Sequence, residues 1–237
     1  MLYKESYRAL KKKMPIVESQ EEMVEIPQTM LRFTPHPYQS VGAIYRGYTP
    51  FYLRKGVVQR LENAQDILQK RYAGYRLKIF DGYRPLSVQS FMIEYDSNRL
   101  AQEIYKKSFL ALEEQDRIYI EKKVGSFWSP IADDVAQNPP PHSTGGAVDL
   151  TLCDADGIAL DMGSEVDELV DASSASFYDN SATLYEKNRN LLQSVMLEVG
   201  FTQLPTEWWH FSYGDQLWAV DKKKKFAHYA MIEALDE

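Results

Sequence analysis

Residues 139–152, PPPHSTGGAVDLTL, constrain this chain more than any other stretch. Ala147–Cys153 alternates as a strand does, with Val148, Leu150 and Leu152 on one face and Ala147, Asp149 and Thr151 on the other. A sheet that takes in this strand must bury an apolar layer on one side and give Asp149 a separate environment on the other. Gly145 and Gly146 let the preceding loop bend back and bring His142 near Asp149. These residues alone leave two readings open. The pair is a hydrogen-bonded His–Asp contact that orders a loop, because buried carboxylates find partners, or it belongs to a chemical site.

The surrounding pattern predicts where that strand sits. Val57, Leu61, Ala64 and Leu68 recur at helical spacing within residues 54–72, and Gly74 follows as a stop. Tyr75, Leu77 and Ile79 alternate with Arg76 and Lys78, which predicts a strand that runs into a turn at Asp81-Gly82-Tyr83-Arg84-Pro85. A helix of about ten residues is expected from Leu86, and a longer helical region over 101–123. Residues 127–141 read as irregular. Residues 154–157 form a hairpin turn with a return strand at 158–160. A last helix spans 184–199, and the aromatic run 207–213 favours a strand. Helices before, between and after a few short strands predict an α+β fold with a small antiparallel sheet flanked by helices. A single domain over 1–237 is expected, with residues 1–27 as an N-terminal arm.

Glu207-Trp208-Trp209-His210 is the second chemical motif. Taken alone it is equally an aromatic strand with incidental polar residues. Three-residue spacing puts Glu207 and His210 on opposite faces of a regular strand. Both reach one site only if Glu207 lies in the turn after Pro205 and the strand begins at Trp208. Joined to the first motif, it supplies His142, Asp149 and His210 as three ligands for a tetrahedral Zn²⁺ with an open fourth position. Glu207 remains as a carboxylate to take a proton from water. This is the arrangement for metal-assisted hydrolysis, without the His-Glu-x-x-His spacing of zincins.

The motifs D-G-Y-R-P at Asp81 to Pro85, H-x-x-G-x-A-x-D at His142 to Asp149 and E-W-W-H at Glu207 to His210, in this order along the chain, resemble the zinc D-alanyl-D-alanine dipeptidases of vancomycin-resistance type. Met162 to Asp167, MGSEVD, is similar to the segment that follows the hairpin in that family. The resemblance covers roughly residues 30–215. It implies one zinc on His142, Asp149 and His210, Glu207 as catalytic base, Arg84 as the group that stabilises the oxyanion, and Asp167 near the substrate ammonium. Three positions depart from the family pattern. Pro140 stands where relatives carry serine, Thr144 where they often carry arginine, and Phe33 where their N-terminal motif holds a tyrosine. These departures leave the exact dipeptide open.

Two other functions compete with a dipeptidase. One is a D,D-carboxypeptidase on longer cell-wall peptides; the other is a non-catalytic zinc-binding module, against which Glu207 and Arg84 are both present. A net charge of −7 argues against nucleic acid as partner, and Lys222 to Lys225 reads as a solvated face. His36, between two prolines, reads as a loop residue, His228 as solvent-facing and Tyr83 as packing. A lone Cys153 excludes an internal disulfide and fits a reducing compartment. With no signal-peptide pattern in the first residues and no run of about 20 apolar residues, a cytoplasmic location without membrane association is expected. A homo-oligomer is left open.

Overall fold

Strand alternation in Ala147–Cys153 sorts the molecule into an apolar and a polar side. The computed structural model describes residues 9–129, 131 and 134–232. Its strands are β1 (Met23–Glu25), β2 (Leu31–Arg32), β3 (Tyr52–Arg54), β4 (Arg76–Asp81), β5 (Ala147–Cys153), β6 (Thr202–Gln203) and β7 (His210–Ser212). The main sheet has the order β2-β4-β5-β7-β6, while β1 and β3 form a separate antiparallel pair. In the main sheet β2 runs parallel to β4 and the other neighbours are antiparallel. The longer helices are α1 (Lys55–Arg71), α2 (Leu86–Tyr105), α3 (Glu114–Val124), α4 (Leu184–Glu198) and α5 (Gln216–Asp221). The expected α+β fold, a small and mainly antiparallel sheet flanked by helices, is therefore present.

Val148, Leu150 and Leu152 join Leu77 and Ile79 in one core with the predicted stripe of α1, Val57, Leu61, Ala64 and Leu68, and with Leu192, Val195 and Met196 of α4. Burying each such aliphatic side chain stabilises the fold by about 1.5–3 kcal/mol. A second core gathers Tyr38, Phe80, Val88, Met92, Ile120, Val124 and Trp128. Asp149 is only 1% exposed, so its environment is polar and enclosed rather than wet.

A register shift between Ile79 and Asp81 decides what the polar face contains. Ile79 pairs with Leu150, but Asp81, not Phe80, pairs with Asp149. Without this bulge Asp81 would oppose Val148 and point toward the apolar core. With it, two carboxylates stand opposite each other at the end of β4 and β5. The sequence pattern ended this strand at Ile79 and placed Asp81 in a turn; the structure carries the strand two residues further.

Other expectations are corrected in detail. The helix from Leu86 runs to Tyr105, and a 3₁₀ turn at Phe109–Ala111 separates it from α3, so 101–123 is not one helical region. The return strand at 158–160 is reduced to a bridge between Cys153 and Ala159. His36 lies in the loop before Pro37, as expected, but is buried, with Nε2 3.3 Å from Asp81 Oδ1. His228 is half-buried, its ring 5.2 Å from that of Trp218. Tyr83 is buried and packs edge-on against Tyr48, as expected. In the N-terminal segment Val24 pairs with Leu53, and Glu21 accepts hydrogen bonds from Gly56 N at 2.7 Å and from the Tyr229 hydroxyl.

The two glycines before β5 do separate jobs. Gly145 has φ +70°, the left-handed region that ends the 3₁₀ turn Pro141–Thr144. Gly146 lies so close to β7 that a Cβ there would stand 2.6 Å from the Tyr213 carbonyl oxygen. Gly146→Ala is therefore expected to push β5 and β7 apart at Asp149 and His210 and to cost about 2–4 kcal/mol. Denaturant unfolding measures this, and a loss below about 0.5 kcal/mol would refute the close-approach argument.

Candidate metal centre and active site

Three elements deliver the metal-binding candidates. Asp149 on β5 and His210 on β7 are direct cross-strand partners, so their side chains meet on one face. His142 arrives from the 3₁₀ turn that Gly145 terminates. Asp149 Oδ2 lies 3.2 Å from His142 Nε2, and Oδ1 lies 3.0 Å from His210 Nδ1. Among the described residues, these three are the His, Cys, Asp and Glu side chains that form a group able to hold a metal ion, with ligand atoms within 4.8 Å of one another.

The outward ring nitrogens fix both tautomers. His142 Nδ1 is 2.7 Å from the Gly82 carbonyl oxygen, an acceptor, so Nδ1 carries the hydrogen and Nε2 presents a lone pair inward. Ser212 Oγ donates to Asp215 Oδ2 at 2.7 Å and therefore accepts from His210 Nε2 at 3.2 Å. Asp215 in turn caps α5 by accepting from Trp218 N at 2.8 Å. The inward nitrogens, His142 Nε2 and His210 Nδ1, then face each other at 3.1 Å across carboxylate oxygens. Lone pairs so placed repel, and a cation among them turns repulsion into coordination. Two imidazoles and one carboxylate suit Zn²⁺.

The electrostatics agree. Burial lowers the His142 pKa, but the nearby negative charge of Asp149 holds the imidazole above its ordinary value. Burial raises Asp149, yet the two imidazoles hold its carboxyl far below the usual range. His210 falls below its ordinary value through burial. The pocket attracts positive charge.

Glu207 is 6% exposed and its Oε2 stands 3.8 Å from His210 Nδ1. It lies just after the Pro205 turn, as sharing a site with His210 requires, but the strand begins at His210 and not at Trp208. Arg84 Nε donates to Asp81 Oδ2 at 2.9 Å, Nη1 to Gln89 Oε1 at 3.2 Å, and Nη2 to the Tyr38 hydroxyl at 2.9 Å and Asp149 Oδ2 at 3.3 Å. Its guanidinium also packs over Trp128, 4.7 Å from the ring centre. A cation held this way is pre-aimed and needs no reorganisation during a reaction.

Asp167 closes the far end. Its backbone has φ +61°, an unusual left-handed conformation for a non-glycine residue, and it accepts a hydrogen bond from the Tyr38 hydroxyl. Burial, with the nearby charge of Asp149, pushes its carboxyl up to about 7, against a lowering by Arg84 and Tyr38. A carboxyl raised in the folded state favours folding while protonated. That contribution is full below pH ~4 and is lost as pH rises through about 7. In metal-free protein, Asp167→Asn should therefore flatten the fall in stability between these limits, a difference on the order of a few kcal/mol by pH 8. Parallel pH–stability curves for the two proteins would contradict it.

Sequence reasoning brought together His142, Asp149, His210, Glu207, Arg84 and Asp167, and all six line one cleft of about 40 Å³ with Pro140, Trp128 and Leu204 among its walls. It missed Tyr38, Asp81 and Gln89. Phe33, at the motif position where a tyrosine is expected, packs against Phe80 with ring centres 5.2 Å apart. The hydroxyl instead comes from Tyr38, in the short helical turn Pro37–Ser40, and contacts both Arg84 and Asp167. Asp81 belonged to a quoted motif, but its contacts with Arg84, Tyr45 and His36 depend on the bulge. Thr144 does not line the cleft; its carbonyl accepts from Arg54 Nε at 3.0 Å and its hydroxyl from Gly146 N at 3.0 Å.

Residues 32–231 match the family described as D-ala-D-ala dipeptidase. A D-alanyl-D-alanine dipeptidase of Synechocystis is 37% identical over 216 residues, covering 84% of this chain and 86% of that protein. A D-alanyl-D-alanine dipeptidase of Escherichia coli is 30% identical over 159 residues, covering 67% of this chain and 65% of that protein. Among solved structures, a mutant of the vancomycin-resistance D,D-pentapeptidase VanY in complex with Zn(II) is similar with a TM-score of 0.44 and 10% identity, over 86% of this chain and 94% of that one. Among the described residues no helix is long and apolar enough to cross a membrane.

Proposed function

We propose, because this chain belongs to the D-alanyl-D-alanine dipeptidase family, that it hydrolyses D-alanyl-D-alanine or a close D,D-dipeptide to free amino acids with one zinc per chain. The observation that carries this reading is the convergence of His142, Asp149 and His210, whose ligand atoms lie within 4.8 Å of one another, with the Glu207 carboxylate alongside. Zinc on these three side chains would lower the pKa of water toward ~7 and polarise the peptide carbonyl.

The chain's own residues do the rest. Glu207 accepts the proton of the attacking water and passes it to the leaving amine. Arg84, fixed by Asp81 and Tyr38, directs its guanidinium at the charge that develops on the carbonyl oxygen. Asp167, ionised on meeting a cation, holds the substrate ammonium with Tyr38 beside it. Trp128, Pro140 and Leu204 narrow the cleft and exclude bulk water. An anionic group at the amino end selects a free dipeptide over an N-blocked peptide. The expected cytoplasmic location stays part of this reading and is tested by cell fractionation.

The deciding experiment screens zinc-loaded and chelator-treated protein against D- and L-dipeptides and an N-blocked tripeptide ending in two D-alanines. Zinc-dependent cleavage of the free D,D-dipeptide supports the proposal. Preferential cleavage of the N-blocked tripeptide would replace it with a D,D-carboxypeptidase. Zinc binding without cleavage of any D,D-peptide would point to the non-catalytic module.

A further inference from the structure

Behind the Asp167 end of the cleft lies a buried cation whose acceptors are carbonyls and a hydroxyl. Arg189 on α4 is 4% exposed. Its Nε donates to the Met162 carbonyl at 2.7 Å, Nη1 to that of Ser174 at 2.9 Å, and Nη2 to that of Ala172 at 2.8 Å and to Ser164 Oγ at 3.3 Å. Tyr178 and Trp208 present ring faces 4.8 and 5.4 Å away. Burial lowers its pKa to about 10, so it is still a cation at neutral pH. Removing a guanidinium from water is costly, and neutral acceptors offset that cost less well than a carboxylate does. What it gains is geometry: a planar fork fixes several acceptors at once.

Those acceptors lie on both stems of the loop that carries Asp167. Ser164 Oγ also accepts from Trp208 Nε1 at 2.9 Å, and Trp208 N donates to the Ser173 carbonyl at 3.0 Å. Trp208 directly follows Glu207 and precedes His210 by two residues. α4 is itself anchored where it begins, since Thr183 accepts from Glu186 N at 3.2 Å and the Glu186 carboxylate accepts from Asn180 N and Ala182 N, each at 2.7 Å. Arg189 thus joins a fixed helix, the Asp167 loop and the Glu207–His210 turn.

We propose that Arg189 is a positioning residue that sets the distance between Asp167 and the Glu207–His210 turn, and thereby the length of peptide the cleft accepts. This rests on the reading of Asp167 as partner of the substrate ammonium. Arg189 touches neither substrate nor metal ligands; it acts through the loop. A misplacement on the order of 1 Å at Asp167 weakens the hold on the ammonium while the hydrolytic groups stay in place.

The test compares zinc-loaded wild type with Arg189→Met, Arg189→Lys and Ser164→Ala, measuring zinc content and kcat and KM on D-alanyl-D-alanine. Ser164→Ala removes one hydroxyl, and with it the links to Trp208 Nε1 and Arg189 Nη2, and keeps the proposal testable if Arg189→Met does not fold. The expected result is unchanged zinc with KM raised about tenfold in Arg189→Met and kcat within about threefold of wild type. Arg189→Lys should recover part of the loss, and Ser164→Ala should raise KM severalfold. A merely structural role lowers the active fraction, which reduces kcat and leaves KM alone; that outcome overturns the proposal, as does an unchanged KM in all variants. Wild-type protein that cleaves no D,D-dipeptide overturns the functional reading and this proposal together.

Discussion

Replacing Glu207 by glutamine is expected to lower kcat/KM about a thousandfold or more while zinc content stays at the wild-type level. Glutamine keeps the size and hydrogen-bonding reach of the side chain but cannot accept a proton. Glu207 lies outside the convergent group of His142, Asp149 and His210, with its carboxylate 3.8 Å from His210 Nδ1, so metal binding has no need of it. Glu207→Ala should behave the same way, which separates loss of the base from any effect of the new amide. Metal analysis and steady-state kinetics on the same preparation decide the matter. Full activity in either variant would remove Glu207 from the mechanism, and loss of zinc with activity would make it a ligand instead.

The second large effect is on the metal itself. His210→Ala is expected to deplete zinc to near zero after dialysis, because two remaining ligands in a buried site bind far more weakly than three. In wild type, zinc bound only by the folded state should raise Tm by roughly 10 °C at concentrations a thousandfold above Kd. In His210→Ala that increment should vanish. Metal-free His210→Ala should lose little stability for a buried truncation, because it also removes one of two nitrogens that face each other at 3.1 Å. His142→Ala should act similarly, with the Gly82 carbonyl losing its donor as well. Unchanged zinc stoichiometry in both variants would refute the ligand set.

The two effects arise from features of different legibility. Asp149 could be read from the sequence because strand alternation is local and the glycine-bent loop returns His142 over seven positions. The alternation of β5 and the stripe of α1 were legible for the same reason: one element's periodicity records which side is buried. The bulge at Phe80 was not, since a one-residue slip of β4 against β5 leaves no mark in either strand's composition. Tyr38 was not legible because the motif position falls on Phe33, five residues before the one whose hydroxyl accepts from Arg84. Nothing in the sequence singles out Arg189, because the carbonyls it binds carry no side-chain signature.

The chemical inventory is legible in the sequence: two histidines and an aspartate able to share a cation, a glutamate near one of the histidines, and the α+β frame that holds them. How that inventory is aimed depends on long-range packing. Cross-strand register places Asp149 against His210, the bulge turns Asp81 toward Arg84, and Tyr38 bridges Arg84 to Asp167. The difference is one of range. Periodicity and turn chemistry act over a few residues and are written in neighbouring letters. Register between strands and hydrogen bonds to distant carbonyls are set by the packing of the whole core.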